Sequence, residues 1–186
     1  MKKTFPLFCL FSLLFYFPSF SQTEINGVKI PETLDVDGQQ LVLNGAGLRK
    51  KFFLKLYVGA LFLPHKTADG QTVIQSKKTQ LMRLYITSGL ITAEKMNQSI
   101  KDGFKKSMNG NTTPLQKEID RLMTLFKTIN NGDIIDFSAG NGSLKVLQNN
   151  QELGSFESQP FKEALYGIWL GNDPVDDDLR EELLGL

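Results

Sequence analysis

The chain has 186 residues, 41% hydrophobic and 22% charged, with 21 Lys and Arg against 20 Asp and Glu. That composition excludes a disordered or collagen-like polymer. A net charge of +1 also excludes a general polyanion binder such as a nucleic-acid domain, which carries a clear basic excess. The length corresponds to one domain.

At the N-terminus, Lys2 and Lys3 precede an apolar stretch from Phe5 to Phe20, and Ser19-Phe20-Ser21 places small residues at the −3 and −1 positions of a cleavage site before Gln22. This pattern predicts a secretory signal peptide over residues 1–21, a mature domain over 22–186, and export to the periplasm or the extracellular space. The stretch falls short of the roughly 20 residues a membrane span needs, and Pro6 and Pro18 interrupt it. Cys9, the single cysteine, lies inside the apolar region rather than at its end, which argues against lipid attachment. Cleavage would leave a chain with net charge −1, no cysteine and no transmembrane segment. Such a domain depends on its core alone, without disulfides, thiolate chemistry or a cysteine metal centre.

From Ile25 to Pro64 the pattern is β, with Gly27, Asp37-Gly38 and Asn44-Gly45 read as turns between short strands. The longest run is Phe52 to Leu63. Its even members (Phe52, Leu54, Leu56, Val58, Ala60, Phe62) are all apolar, so one face is expected to be buried and the other mixed. Leu81 to Thr87 reads as another strand. Thr92 is placed to cap a helix running to about Met108, with Glu94 in its first turn and a buried stripe of Met96, Ile100 and Phe104. Thr113-Pro114 opens a second helix with the stripe Leu115, Ile119, Leu122 and Phe126, ended by Asn130-Asn131-Gly132. Strands follow at Asp133–Ser138, Ser143–Leu147 and Gly154–Glu157, separated by hairpin signals at Gly140-Asn141-Gly142 and Asn149-Asn150. Helices at Pro160–Leu170 and Asp176–Leu184 close the chain. This order predicts an α+β fold, with helices layered on an antiparallel sheet.

Few residues suggest catalysis. The one histidine, His65, follows Pro64 at a strand end and reads as a solvated loop residue. No phosphate loop is present. The acidic run Asp173, Asp176, Asp177 and Asp178 lacks the alternating ligands of a calcium loop and fits a helix N-terminus better. Neither cofactor nor metal is expected. Arg49 stands out because it directly precedes the most apolar run. It either forks onto a carboxylate or enolate oxygen at the mouth of an apolar cleft or is a surface cation in the cluster Arg49-Lys50-Lys51. Its position in the sequence leaves both open.

Four segments in order resemble the chalcone isomerase family, and its bacterial exported chalcone isomerase-like branch in particular. They are Asn44-Gly45-Ala46-Gly47-Leu48-Arg49 with the strand through Tyr57-Val58-Gly59 to Leu63; Gly132-Asp133-Ile134-Ile135-Asp136-Phe137; Asn141-Gly142-Ser143-Leu144; and Phe161 to Gly171 with Pro174-Val175 and Leu183-Leu184-Gly185. The resemblance implies an open-faced β-sandwich: a large antiparallel sheet against a helical layer, with a cleft between. Family members include enzymes that close chalcones to flavanones and non-catalytic relatives that bind fatty acids in the same cleft. The family arginine matches Arg49. The catalytic threonine falls at Leu56, the helix-start tyrosine at Thr92 and the following asparagine at Ser99, so three polar partners are lost or shortened. Tyr57 or Tyr85 remains to supply a phenol. Each missing donor removes about 1–3 kcal/mol of buried pairing, which argues against chalcone cyclisation. Binding an amphipathic acid asks only for an apolar tunnel and one charged anchor.

The resemblance therefore implies a module that binds a fatty acid or similar apolar carboxylate, with Arg49 as anchor and Leu56, Tyr57, Thr92 and Ser99 about the site. One alternative is an isomerase of the intramolecular-lyase class acting on an unknown substrate, with Arg49 as its best catalytic candidate. The other is a structural or partner-binding protein whose cleft is filled by its own side chains, such as Phe53, Tyr57 and Trp169, with Arg49 paired to a carboxylate such as Glu163.

Overall fold

The structure is a computed structural model that describes residues 22–186; the expected signal peptide lies outside the described residues. Strands β1 (Gln22–Ile25) and β2 (Val28–Pro31) form a small hairpin. Seven further strands form one antiparallel sheet: β3 (Thr33–Val36), β4 (Gln39–Lys51), β5 (Leu54–Leu63), β6 (Gln80–Ile86), β7 (Ile134–Gly140), β8 (Ser143–Gln148) and β9 (Gln151–Phe156). Each strand pairs with its neighbour in sequence, in the order β3-β4-β5-β6-β7-β8-β9. The helices are α1 (Gly70–Gln75), α2 (Ala93–Ser107), α3 (Gln116–Leu125), α4 (Gln159–Leu170) and α5 (Asp177–Leu184). This is the expected α+β architecture. Among the described residues no helix is long and apolar enough to cross a membrane.

Local chemistry accounts for four of the strand connections. Asn26-Gly27, Asp37-Gly38, Asn141-Gly142 and Asn149-Asn150 all hold positive φ at both positions, the backbone a two-residue hairpin needs to match strand twist. Two readings of the sequence require correction. Asn44-Gly45 is no turn: it lies inside the 13-residue β4, at a register shift between Leu43 and Gly45. The extra residue of that bulge exchanges the two faces of the strand. Leu41 and Leu43 bury on one side before it, whereas Ala46 and Leu48 take that side after it. Phe52 does not open β5 either; Phe52 and Phe53 form the turn between β4 and β5.

Helix starts follow the sequence closely, whereas α3 ends at Leu125, short of the expected stop at Asn130-Asn131-Gly132. Thr92, Ser158 and Asp176 accept backbone N–H groups at the starts of α2, α4 and α5. Thr113-Pro114 opens a single 3-10 turn, Thr113–Leu115, before α3 begins. The sequence reading contains no counterpart of α1. Six residues with two buried apolar side chains, Val73 and Ile74, are too few for a helical period to show.

The β5 alternation buries both faces. Tyr57, Leu61 and Leu63 join Trp169, Phe161 and Leu183 in the core between sheet and helices. Val58, Ala60 and Phe62 pack on the opposite face with Ile30, against which Ile25 and Val28 also pack. The β1–β2 hairpin thus covers the second face of the sheet at its β4–β5 end.

Candidate functional site

The Asn44 to Arg49 segment forms the seat of α5. Gly45, Gly47 and Arg49 pair with Leu61, Gly59 and Tyr57 in the ladder. Two glycines on this face let the helix backbone come within reach. A Cβ built on Gly45 would lie 2.1 Å from the Glu182 carbonyl oxygen, and one on Gly47 would lie 1.9 Å from Glu182 Oε2. The buried Asn44 amide donates to the Leu183 carbonyl at 2.8 Å and to the Thr67 carbonyl at 3.0 Å, and its oxygen accepts from Thr67 N at 2.7 Å. Leu48 N donates to the Glu182 carboxylate at 3.1 Å. Arg49 holds the other end, donating to Asp176 Oδ2 at 2.7 Å.

Arg49 and Asp176 are 18% and 14% exposed, so this pair is largely shielded from water. Asp176 is also the α5 cap, accepting from Leu179 N at 3.2 Å, and Lys50 N approaches its second oxygen at 3.4 Å. Across the ladder from Arg49, the Tyr57 phenol accepts from Trp169 Nε1 at 2.9 Å. That leaves the phenol its own proton to donate. Burial pushes the Tyr57 pKa above 10, against the opposing pull of the Trp169 hydrogen bond and the Arg49 charge. The phenol is therefore neutral at ordinary pH. Trp169 packs on Phe137 with ring centroids 5.5 Å apart, so aromatic side chains fill the interior next to Arg49.

The other expected site residues lie apart from this cluster. Leu56 is partly buried against the helix-side core, and its carbonyl accepts Thr87 N and Oγ1 at 3.1 and 3.2 Å. Thr92 is exposed and caps α2 through Lys95 N at 3.2 Å. Ser99 is exposed on α2. Among the described residues no hydrogen bond joins Thr92 or Ser99 to Arg49. Tyr85 packs with the opposite face of the sheet, so of the two candidate phenols only Tyr57 stands beside Arg49. Phe53 projects into solvent at 95% exposure rather than into the cleft. Glu163 accepts from Gln159 Nε2 at 2.8 Å, and Asp176 takes the place beside Arg49 that was considered for it. His65 is an exposed loop residue.

Asp176, Trp169 and Lys162 are the residues of consequence that sequence reading did not connect. The cap role of Asp176 is legible, but its link to Arg49 spans 127 positions and that of Trp169 to Tyr57 spans 112. A groove of about 460 Å³ runs between the C-terminal end of α2 and helix α4, lined in part by Ser107, Met108, Glu163 and Gly167. A second, shallower one of about 770 Å³ lies near Gln39, His65 and Lys77. Arg49 lines neither. Among the described residues no cluster of three or more His, Cys, Asp or Glu could hold a metal ion.

An antiparallel sheet curled against helices, with an arginine at one end of the interior, defines a fold class that sequence comparison identifies. The family model described as chalcone isomerase-like matches residues 22–185, and the chain belongs to that family. The crystal structure of a fatty-acid binding protein from Arabidopsis thaliana aligns with a TM-score of 0.69 over 88% of this chain and 96% of that one, at 18% identity. At that identity the likeness speaks for the fold. No curated protein matches the sequence.

Proposed function

We propose that this protein binds a fatty acid or similar apolar carboxylate between sheet and helices, with Arg49 as anchor. One observation carries the reading. Arg49 and the proton-bearing Tyr57 phenol face the same end of the apolar interior, and a carboxylate, that of Asp176, already sits on the arginine. A cation and a neutral donor side by side suit a carboxylate. In this reading Asp176 occupies the place of the ligand headgroup, and the Tyr57–Trp169 pair shifts to admit the chain. The N-terminal segment, with its basic start and short apolar run, supports export of the protein.

Native mass spectrometry of the chain from Gln22, incubated with a panel of fatty acids, tests the proposal. A bound acid is expected, and Arg49→Ala should abolish it. Asp176→Asn keeps a capping side chain but removes the competing charge, so affinity should rise on the order of tenfold. Bare protein across the panel, or binding indifferent to both substitutions, would refute the reading.

A second reading is favoured by the Tyr57–Trp169 hydrogen bond and the Phe137 contact: the interior is closed, and the protein acts through its surface. It requires no retained ligand. Tyr57→Phe would then cost only the stability lost when the buried Trp169 N–H is left without its acceptor, about 1–3 kcal/mol, measurable by denaturant titration.

A further inference from the structure

The turn between β4 and β5 exposes the largest apolar side chains of the described surface. Phe52 is 85% exposed, Phe53 95% and Leu54 45%. Their rings touch little but each other, with centroids 6.5 Å apart. The backbone makes this placement costly. Phe52 holds φ at +56°, whereas every other non-glycine residue with positive φ in the described chain is Asn or Asp. An aromatic residue gains nothing from the left-handed region, which Asn and Asp tolerate. A bulky side chain kept exposed in a strained turn marks a local conflict of the kind found at functional sites.

The charges beside these rings identify the partner. Lys50, Lys51 and Lys55 flank the tip, all exposed and without an ion pair among the described residues. From Arg49 to Lys55 there is no acidic residue. At the hairpin base the acidic Asp176 is taken by Arg49. Two aromatic rings ahead of a collar of lysines match the interface of an anionic bilayer, where rings sit among the headgroups and lysines meet lipid phosphates. The tip is too small to hold a second copy of the chain. An aromatic side chain buries about 150–250 Å², and a stable contact needs roughly 800 Å² per partner.

We propose that the β4–β5 hairpin tip docks this protein on anionic lipid membranes, with Phe52, Phe53 and Leu54 inserting between headgroups and Lys50, Lys51 and Lys55 holding the surface charge. This surface is independent of what the interior binds.

Flotation of the chain from Gln22, which contains every element described above, tests the proposal with vesicles of phosphatidylcholine alone and of phosphatidylcholine mixed with phosphatidylglycerol. The protein is expected to float with the anionic vesicles and to be released by salt. The double variant Phe52→Asn, Phe53→Ser should lose partitioning on the order of 100-fold. Its melting temperature should stay level or rise, because asparagine relieves the turn. Lys50→Glu with Lys51→Glu should weaken binding about tenfold or more on anionic vesicles. Flotation with neither vesicle type, or flotation untouched by these substitutions, would overturn the proposal. So would a concentration-dependent dimer, seen by sedimentation velocity, that replaces vesicle binding and vanishes in the double variant.

Discussion

Gly45→Ala is expected to dislodge α5 and to remove most of the stability of the domain. In an ordinary strand this change favours folding, because glycine loses more backbone freedom than alanine. Here the new methyl would meet the Glu182 carbonyl oxygen at 2.1 Å and the Leu183 carbonyl at 2.7 Å. Both are backbone atoms of a helix fixed at each end by Asn44 and Arg49, so neither yields cheaply. Lifting α5 exposes Leu179, Leu183 and Leu184, all now buried, at about 1.5–3 kcal/mol for each side chain. Against a total stability of roughly 5–15 kcal/mol, that loss approaches unfolding. Gly59→Ala provides the control, since its methyl would rest 3.4 Å from a flexible Leu179 methyl and should change stability by less than about 1 kcal/mol. Calorimetry compares the two variants, and limited proteolysis beyond Gly171 reports whether α5 is loose. Equal stability in Gly45→Ala and the parent chain would contradict the seat.

The second large effect concerns Lys162, which is 1% exposed and, among the described residues, faces no carboxylate in a salt bridge. Its ammonium donates to the carbonyls of Val73, Ile74 and Ser76 at 3.1, 2.7 and 2.7 Å. A helix leaves its final carbonyls without partners, and at the end of α1 one lysine from α4 supplies them. It also lies 5.0 Å from the centre of the Tyr166 ring. Lys162→Ala strands the Ile74 and Ser76 carbonyls, while Val73 keeps the Gln80 amide as donor, and opens a cavity, a loss of about 3–5 kcal/mol. Lys162→Met keeps the stem and should recover the packing but not the donors.

The same lysine sets a pH dependence. Burial pulls its pKa down from 10.5 to about 8, with Glu163 opposing weakly. Between these two values the unfolded chain binds more protons than the folded one, so stability rises with pH through the window. It is lowest below about pH 8 and levels off above the unfolded value. The expected slope is on the order of 1 kcal/mol per pH unit, read as the difference between parent and Lys162→Met in urea titrations from pH 7 to 11. A difference that is flat or falling with pH would refute it.

Much of this architecture is legible locally. Asn-Gly and Asp-Gly pairs mark the hairpins because they accept positive φ at no great cost. The caps of α2, α4 and α5 are visible because a side chain binds a backbone group within three residues. What escapes is whatever depends on partners distant in sequence. Asn44-Gly45 carries the chemistry of a turn, yet it serves a bulge whose purpose, admitting α5, is written more than 130 residues later. Phe52-Phe53 carries no turn chemistry and turns nonetheless. Arg49 is equally compatible with a surface cation until Asp176 and Tyr57 stand beside it. The family match and the periodicity lead to the same sheet and helices, whereas the site rests on contacts that neither contains.

The order of the strands has a consequence for how the molecule assembles. Every sheet neighbour is also a sequence neighbour, so β3 to β5 and β7 to β9 can each zip together one hairpin at a time as the chain emerges, with little loop entropy to overcome, whereas β6 and β7 meet only across the stretch that holds α2 and α3. The contact between β4 and α5 has the longest reach of the described side-chain hydrogen bonds, joining Asn44 to Leu183 across 139 positions. Until the last helix emerges, the glycine track on β4 remains an open furrow of bare backbone, the part of the nascent fold most receptive to a stray helix from another chain. Completion of the domain therefore waits on α5, and a chain halted before Asp177 would have its full sheet but no clasp.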